Sequence, residues 1–152
     1  SGQTLKIAAT NTASLPSDRE SVFWLNVLDV PPTPEGSNDN YLQVAIRNRI
    51  KLFYRPASLQ ELDSKIVEKV TISTSGSQTC LKNSSPYYLT IPQVVTWQGG
   101  KLKQNRDDNL LSDTAFIPPY GCALVSNKIQ AGSQYRITWL DDYGAKRFST
   151  LH

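Results

Sequence analysis

One long alternating stretch, residues 41–56, dominates the hydrophobic pattern of the chain. Successive side chains of a β-strand point to opposite faces, so this stretch predicts a strand with one apolar face and one basic face. A helix is excluded because the apolar positions do not share a stripe of period 3.6. The apolar face is Leu42, Val44, Ile46, Asn48, Ile50, Leu52 and Tyr54, and the other is Gln43, Ala45, Arg47, Arg49, Lys51, Phe53 and Arg55.

The length of this predicted strand leaves two interpretations open. A typical strand has about five or six residues, and this one runs to more than twice that. Part of it can therefore extend past its own sheet neighbours and offer a free edge to another chain. The alternative is an interior strand of a β-sandwich, which the same pattern allows.

The rest of the first third of the chain predicts two further strands and a loop. Residues 4–10 predict a short strand. Residues 20–30 are apolar on both faces, which is typical of a strand buried on both sides. Residues 31–40 are rich in Pro, Gly, Asn and Asp and predict a mobile connection.

From residue 70 onward, short apolar runs recur between turn signals, a spacing typical of an immunoglobulin-like sandwich. Residues 59–66 allow one short helical turn. The predicted strands of this part are residues 70–74, 80–83, 87–95, 115–117, 123–125 and 134–140.

A chain of 152 residues suits one ordinary domain or two small ones. We interpret residues 1–57 as a first module, 58–69 as a linker and 70–152 as a second module. A sandwich of this type has about seven strands, more than residues 1–57 supply. The first module should therefore expose apolar surface and favour pairing with another chain, including self-association.

Composition excludes several classes of function. A net charge of +3 is too mild for a nucleic-acid-binding protein, and no apolar run is long enough for membrane insertion. No signal peptide is visible, so we expect a mature, processed or truncated chain. Because the single histidine is the terminal His152, Ser–His and Cys–His catalysis and a zinc site are not expected.

Other catalytic and cofactor signals are weak as well. Paired acids occur at Asp107-Asp108 and Asp141-Asp142, in turn-like contexts where carboxylates are usually solvated. We expect no enzyme, no cofactor and no metal. Cys80 and Cys122 lie far apart and outside any metal-type spacing, which leaves two free thiols or one disulfide.

Four segments carry motif-like sequences: Leu15-Pro16-Ser17-Asp18-Arg19-Glu20-Ser21-Val22-Phe23-Trp24-Leu25-Asn26, Arg49-Ile50-Lys51-Leu52-Phe53-Tyr54-Arg55-Pro56, Ser85-Pro86-Tyr87-Tyr88-Leu89-Thr90 and Asp142-Tyr143-Gly144-Ala145. All four resemble signatures of the periplasmic pilus chaperones of the chaperone–usher pathway, in that family's order. The resemblance implies an all-β fold of two immunoglobulin-like sandwich domains, the first incomplete here because the chain matches roughly the last two thirds of a member. It also implies a periplasmic location, where a Cys80–Cys122 disulfide is favoured.

The resemblance further implies a non-catalytic function. Such a chaperone binds pilus subunits by donor-strand complementation and delivers them to an outer-membrane usher. The family's cleft lysine, which binds the subunit's terminal carboxylate, matches Lys51, although a surface lysine with a buried stem is the alternative. The family's accompanying arginine falls outside the matched part. The donated residues by motif match are Leu42, Val44, Ile46, Asn48 and Ile50.

Glu20, Arg55 and Asp142 match residues that form an interdomain ionic link in the family. The alternative is three unrelated surface charges, whose pairs stabilise little. A competing function is a structural or adhesive immunoglobulin-like subunit of a surface fibre. Such a subunit would carry its alternating segment at one end of the chain, whereas here the alternation lies between two modules. A secreted enzyme on a β scaffold is disfavoured by the lack of an internal histidine.

Overall fold

The computed structural model describes residues 4–30, 44–100 and 108–152. The predicted donor residue Leu42 and the predicted connection at residues 31–40 lie outside the described residues. The chain divides into two compact units. The first contains Ser1–Pro16 and Ser21–Arg55, and the second contains Ser17–Glu20 and Pro56–His152. The division into residues 1–57, 58–69 and 70–152 stays a prediction.

The first unit is built on one antiparallel hairpin. Strand β1 (Ser21–Asp29) pairs with strand β2 (Ile46–Tyr54) along their whole lengths, with Ser21 opposite Tyr54 and Asp29 opposite Ile46. The long predicted strand therefore begins at Ile46, and Val44 precedes it as irregular backbone. The strand predicted at residues 4–10 is wrong, because these residues form no ladder, and a 3-10 turn follows at Thr12–Ser14.

The hairpin is exposed on both of its faces. Phe23 and Trp24, which alternate on β1, each expose 45% of their surface. The prediction that residues 20–30 form a strand buried on both sides is therefore wrong. Among the described residues of the first unit, no side chain is buried. The predicted exposure of apolar surface in the first module is confirmed.

The second unit is a set of small antiparallel sheets around one core. A single helical turn, α1 (Ser64–Val67), is capped at its start by Asp63, whose carboxylate accepts a hydrogen bond from the Ile66 N–H at 3.1 Å. The strands are β3 (Thr71–Ser75), β4 (Gln78–Lys82), β5 (Leu89–Ile91), β6 (Gln93–Thr96), β7 (Ala115–Ile117), β8 (Cys122–Val125), β9 (Tyr135–Leu140) and β10 (Lys146–Leu151). The sheet orders are β10-β9-β6, β3-β4-β8 and β5-β7.

The core of this unit comes from inward positions of several strands. Leu81, Ile91, Val94, Ile117 and Ile137 are each fully buried. Proline cannot donate to a sheet ladder, and Pro92 separates β5 from β6, so the single strand predicted at residues 87–95 is two strands in different sheets. The prediction of an all-β fold is confirmed, with α1 as a short exception.

Candidate functional site

The hairpin register assigns the predicted donor residues to one face. Directly opposed residues of an antiparallel pair lie on the same face of the sheet. Ile46 is opposite Asp29, Asn48 is opposite Val27, and Ile50 is opposite Leu25. Ile46, Asn48 and Ile50 therefore share a face with residues of β1 that include Val27 and Leu25.

The donor side chains are accessible in this chain. Val44, just before the strand, exposes 57% of its surface, Ile46 exposes 55% and Ile50 exposes 50%. Large aliphatic side chains are normally buried in folded proteins, because burying one stabilises the fold by roughly 1.5–3 kcal/mol. Ile46 and Ile50 lie on one face of β2, with Asn48 between them, and form a surface that can fill pockets in a partner.

The opposite face of the hairpin is basic and contains one tryptophan. Arg47, Arg49 and Lys51 alternate along β2, and Trp24 lies directly opposite Lys51. The Arg49 Cζ atom lies 4.0 Å from the centroid of the Trp24 ring, and the Lys51 Nζ atom lies 5.6 Å from a ring centroid of the same side chain. Both distances are within the range of cation–π attraction.

Lys51, the predicted carboxylate-binding residue, is half-buried. Burial lowers the pKa of its ammonium group below the ordinary value, because the charged form loses hydration. A partly desolvated ammonium attracts an anion more strongly than one in bulk water. Trp24 was not assigned to this site from the sequence. The available signal was that Phe23 and Trp24, as neighbours in a strand, point to opposite faces.

An apolar groove lies elsewhere in the first unit. It encloses about 410 Å³ and is lined by Ile7, Leu15, Phe23, Leu52 and Phe53 among others. Its walls come from the irregular N-terminal segment and from both strands of the hairpin. The groove has the size and lining to accept apolar side chains.

Two of the predicted ionic-link residues bond to backbone within the second unit. Glu20 is 4% exposed, and its Oε1 atom accepts a hydrogen bond from the Tyr88 N–H at 2.7 Å. The Glu20 N–H donates to the Pro86 carbonyl at 2.8 Å. Asp142 Oδ2 accepts from the Leu62 N–H at 3.2 Å. The link from these carboxylates to Arg55 stays a prediction.

Cys80 and Cys122 form a disulfide, as predicted from the resemblance. The bond joins neighbouring strands β4 and β8, with Cα atoms 5.8 Å apart. In the described parts of the chain, no three or more His, Cys, Asp or Glu residues are grouped so that they could hold a metal ion. The same described residues contain no helix that is long and apolar enough to span a membrane.

Comparisons with family models cover nearly the whole chain. Residues 1–60 match the model described as "Pili and flagellar-assembly chaperone, PapD N-terminal domain". Residues 65–150 match the model described as "Pili assembly chaperone PapD, C-terminal domain". The two matches follow one another in the order in which the two units occur along the chain.

Individual relatives give the same result. The chain is 37% identical to the uncharacterized fimbrial chaperone YbgP of Escherichia coli K12 over 148 residues, 96% of this chain and 58% of that protein. It is 35% identical to the chaperone protein MrkB of Klebsiella pneumoniae over 150 residues, 95% of this chain and 60% of that protein. The chain thus spans about three fifths of the length of these relatives.

A solved structure is similar as well. The CupB2 chaperone of Pseudomonas aeruginosa superposes with a TM-score of 0.62 at 27% identity, covering 91% of this chain and 60% of that one. These relatives are named as chaperones, in agreement with the expectation that the chain is not an enzyme. The chain belongs to the PapD-like family of pilus-assembly chaperones.

Proposed function

We propose that this chain acts as a periplasmic chaperone that stabilises pilus subunits by lending them strand β2. The observation that carries the proposal is the exposed alternation on β2, where Ile46 and Ile50 each present half or more of their surface to solvent. An added strand gains affinity from main-chain hydrogen bonds and specificity from alternate side chains. The geometry of the hairpin supports both contributions.

The ladder of the hairpin also supports the proposal. Strand β2 pairs with β1 along one of its edges, and its sheet contains only these two strands within the described residues. The second edge of β2 therefore has no ladder there. Such an edge is a template for another chain, and the donor residues Val44, Ile46, Asn48 and Ile50, with Leu42 before them, would enter an open groove of the subunit.

Lys51 has the chemistry for a carboxylate. It lies on the basic face of β2 and is partly desolvated. An ammonium group supplies three donors and suits an anionic chain terminus. We assign to it the terminal carboxylate of the bound subunit, which would set the register of the added strand.

The disulfide supports the cellular location that we propose. Disulfides persist in oxidising compartments such as the bacterial periplasm, and Cys80 and Cys122 are bonded. We further propose that the bound subunit is delivered to an outer-membrane usher. We also propose that an ionic link among Glu20, Arg55 and Asp142 fixes the angle between the two units.

Capture of a subunit tests the proposal. The chain is secreted to the periplasm together with one pilus subunit at a time from the same genome, and the complex is purified through a tag on the chain. We expect the subunit to co-purify with the wild-type chain and to be lost with the double variant Ile46→Asp, Ile50→Asp. Leu124→Asp is the matched control, because Leu124 lies in the second unit and is 70% exposed.

The outcomes separate strand donation from general loss of folding. Loss of the subunit in the β2 variant with retention in the Leu124 variant supports donation. Equal retention in all three proteins contradicts it. The second unit of each variant should keep its unfolding midpoint, which checks that the substitutions act at the hairpin.

A further inference from the structure

Two cations share one aromatic ring on the basic face of the hairpin. The Arg49 guanidinium lies 4.0 Å from the Trp24 ring centroid, and the Lys51 ammonium lies 5.6 Å from a centroid of the same side chain. Trp24 is directly opposite Lys51, whereas Arg49 is one pair further along the same face. The ring therefore lies beside both charges.

This arrangement concentrates positive charge on a short surface. Arg47, Arg49 and Lys51 alternate on one face of β2, and their cross-strand partners are Leu28, Asn26 and Trp24, none of which is acidic. Like charges on neighbouring positions of a sheet face destabilise it. The negative face of the indole offsets part of that repulsion, and a bound anion would offset more.

The two cations differ in a way that suits a carboxylate. A guanidinium offers a planar fork that can bond both carboxylate oxygens, and an ammonium offers a compact charge with three donors. Together they can bind a carboxylate from two directions. For this binding, a strand added beside β2 must end near residues 49–51, so that its terminal carboxylate lies close to the two cations.

We propose that Trp24 is a positioning residue and Arg49 a second cationic ligand, so that Trp24, Arg49 and Lys51 form one clamp for the terminal carboxylate of a bound strand. This inference rests on the proposed function, in which Lys51 alone has that role. The clamp supplies a second cation from within the described hairpin.

The contribution of Trp24 is a reduction of conformational freedom. Arg and Lys side chains lose much rotamer entropy when they are fixed on binding. An aromatic ring that already restricts both side chains lowers this cost in the complex. Trp24 keeps 45% of its surface exposed, so a ligand can reach the cations that lie on it.

Peptides that differ only at their terminus test the clamp. The probes are the peptide acetyl-Val-Thr-Val-Thr-Val-Phe with a free carboxylate and its C-terminal amide, each titrated into the full chain by calorimetry. The readout is the ratio of the two dissociation constants, which a general change in folding would not alter. We expect the wild-type chain to bind the carboxylate about tenfold more tightly than the amide, as one added charge-assisted bond predicts.

Four variants divide the clamp into its parts. Lys51→Gln, Arg49→Gln and Trp24→Leu should each bring the ratio to about threefold or less, while Trp24→Phe, which keeps an aromatic ring, should retain most of it. Arg47→Gln is the matched control, since Arg47 lies on the same face opposite Leu28. It should leave the ratio unchanged.

Each outcome has one meaning. A ratio that falls with Lys51→Gln but stays at the wild-type value with Arg49→Gln and Trp24→Leu overturns the clamp and leaves the proposed anchoring by Lys51 standing. A ratio near one in the wild-type chain, or no binding of either peptide, overturns the clamp together with the carboxylate-binding part of the proposed function. An equal loss with Arg47→Gln also overturns the clamp, because it indicates net charge alone.

Discussion

The Glu20 carboxylate accepts a hydrogen bond from the backbone N–H of Tyr88 at 2.7 Å. Both residues belong to the second unit, although Glu20 directly precedes strand β1 in sequence. The bond is partly buried, and the Glu20 N–H donates to the Pro86 carbonyl beside it. Glu20 therefore holds the segment at residues 17–20 on the loop before β5.

Glu20→Ala should destabilise the second unit. The substitution removes this acceptor from the partly buried Tyr88 N–H, and the loss of such a hydrogen bond costs about 1 kcal/mol. Urea unfolding, followed by near-ultraviolet circular dichroism, measures the change. Glu20→Gln keeps a side-chain acceptor and should cost less. Equal stability of the Ala variant and the wild type would contradict a structural role for this bond.

Asn83 is a buried hub of the same region, with no exposed surface. Its amide group donates to the Tyr87 carbonyl at 2.6 Å and to the Pro118 carbonyl at 3.0 Å. Its side-chain oxygen accepts from the Ser85 N–H at 2.9 Å. We expect Asn83→Ala to lower the free energy of unfolding by about 3 kcal/mol, because several buried groups lose partners together.

The control for this variant is Asn127→Ala, at an exposed position in the loop after β8. A surface substitution of this kind changes stability by about 0.5 kcal/mol or less. If both variants unfold at the wild-type urea concentration, Asn83 does not organise this region.

Removal of the disulfide should weaken the second unit. The bond closes a loop with a sequence separation of 42 residues, and chain-entropy arguments give roughly 3–4 kcal/mol for a loop of that size. The double variant Cys80→Ala, Cys122→Ala should therefore unfold at a lower denaturant concentration. The wild-type chain should show the same decrease in reductant, whereas the variant should not respond to reductant at all.

Asp141 should make stability depend on pH in acid. The Arg147 guanidinium, bonded to Asp141 Oδ2 at 2.9 Å, and the Ala145 N–H hold the pKa of this carboxyl below its ordinary value of 3.8. A lowered folded-state pKa stabilises the fold above the unfolded-state value, and that contribution is lost as pH falls through the folded-state pKa. The loss therefore begins near pH 4 and continues below it.

Unfolding midpoints between pH 2 and pH 7 measure this effect. Asp141→Asn should be less stable than the wild type at pH 7 and should lose less stability on acidification. Asp113→Asn, at an exposed loop position, should follow the wild-type curve. Parallel curves for Asp141→Asn and the wild type would exclude the assignment.

The exposed hairpin should drive self-association. Ile46 and Ile50 expose half or more of their surface on an open strand, which is typical of a surface that pairs with another chain. Sedimentation velocity should show an average mass that rises with concentration. The double variant Ile46→Thr, Ile50→Thr should shift it toward a single chain, and Leu124→Thr should not. A similar shift in both variants would locate the association elsewhere.

Local patterning predicted most strands of the second unit. Alternation and turn residues placed strands at residues 115–117 and 134–140, close to β7 and β9. Strand β10 was not predicted, because Phe148 and Leu151 are its only large apolar residues and its position depends on the ladder to β9. Residues 4–10 show the opposite case: their alternating pattern predicts a strand, but they form no ladder in the structure.

The site could be predicted only in part. The alternation from Val44 to Ile50 indicated which side chains share a face, and the hairpin register agrees. The contact between Trp24 and Lys51 depends on cross-strand register, which a single strand's pattern does not determine. The backbone partners of Glu20 and Asp142 come from segments distant in sequence, so residue type alone could not identify them.

The absence of buried side chains from the described part of the first unit has a calorimetric consequence. The heat-capacity change of unfolding comes mainly from apolar surface that becomes hydrated, and the buried apolar residues that the structure describes lie between Leu62 and Leu151. The heat-capacity change measured for this chain would therefore report mainly the melting of the second unit. Loss of the hairpin would add little to that change, and its melting would have to be followed through amide absorption or isotope exchange.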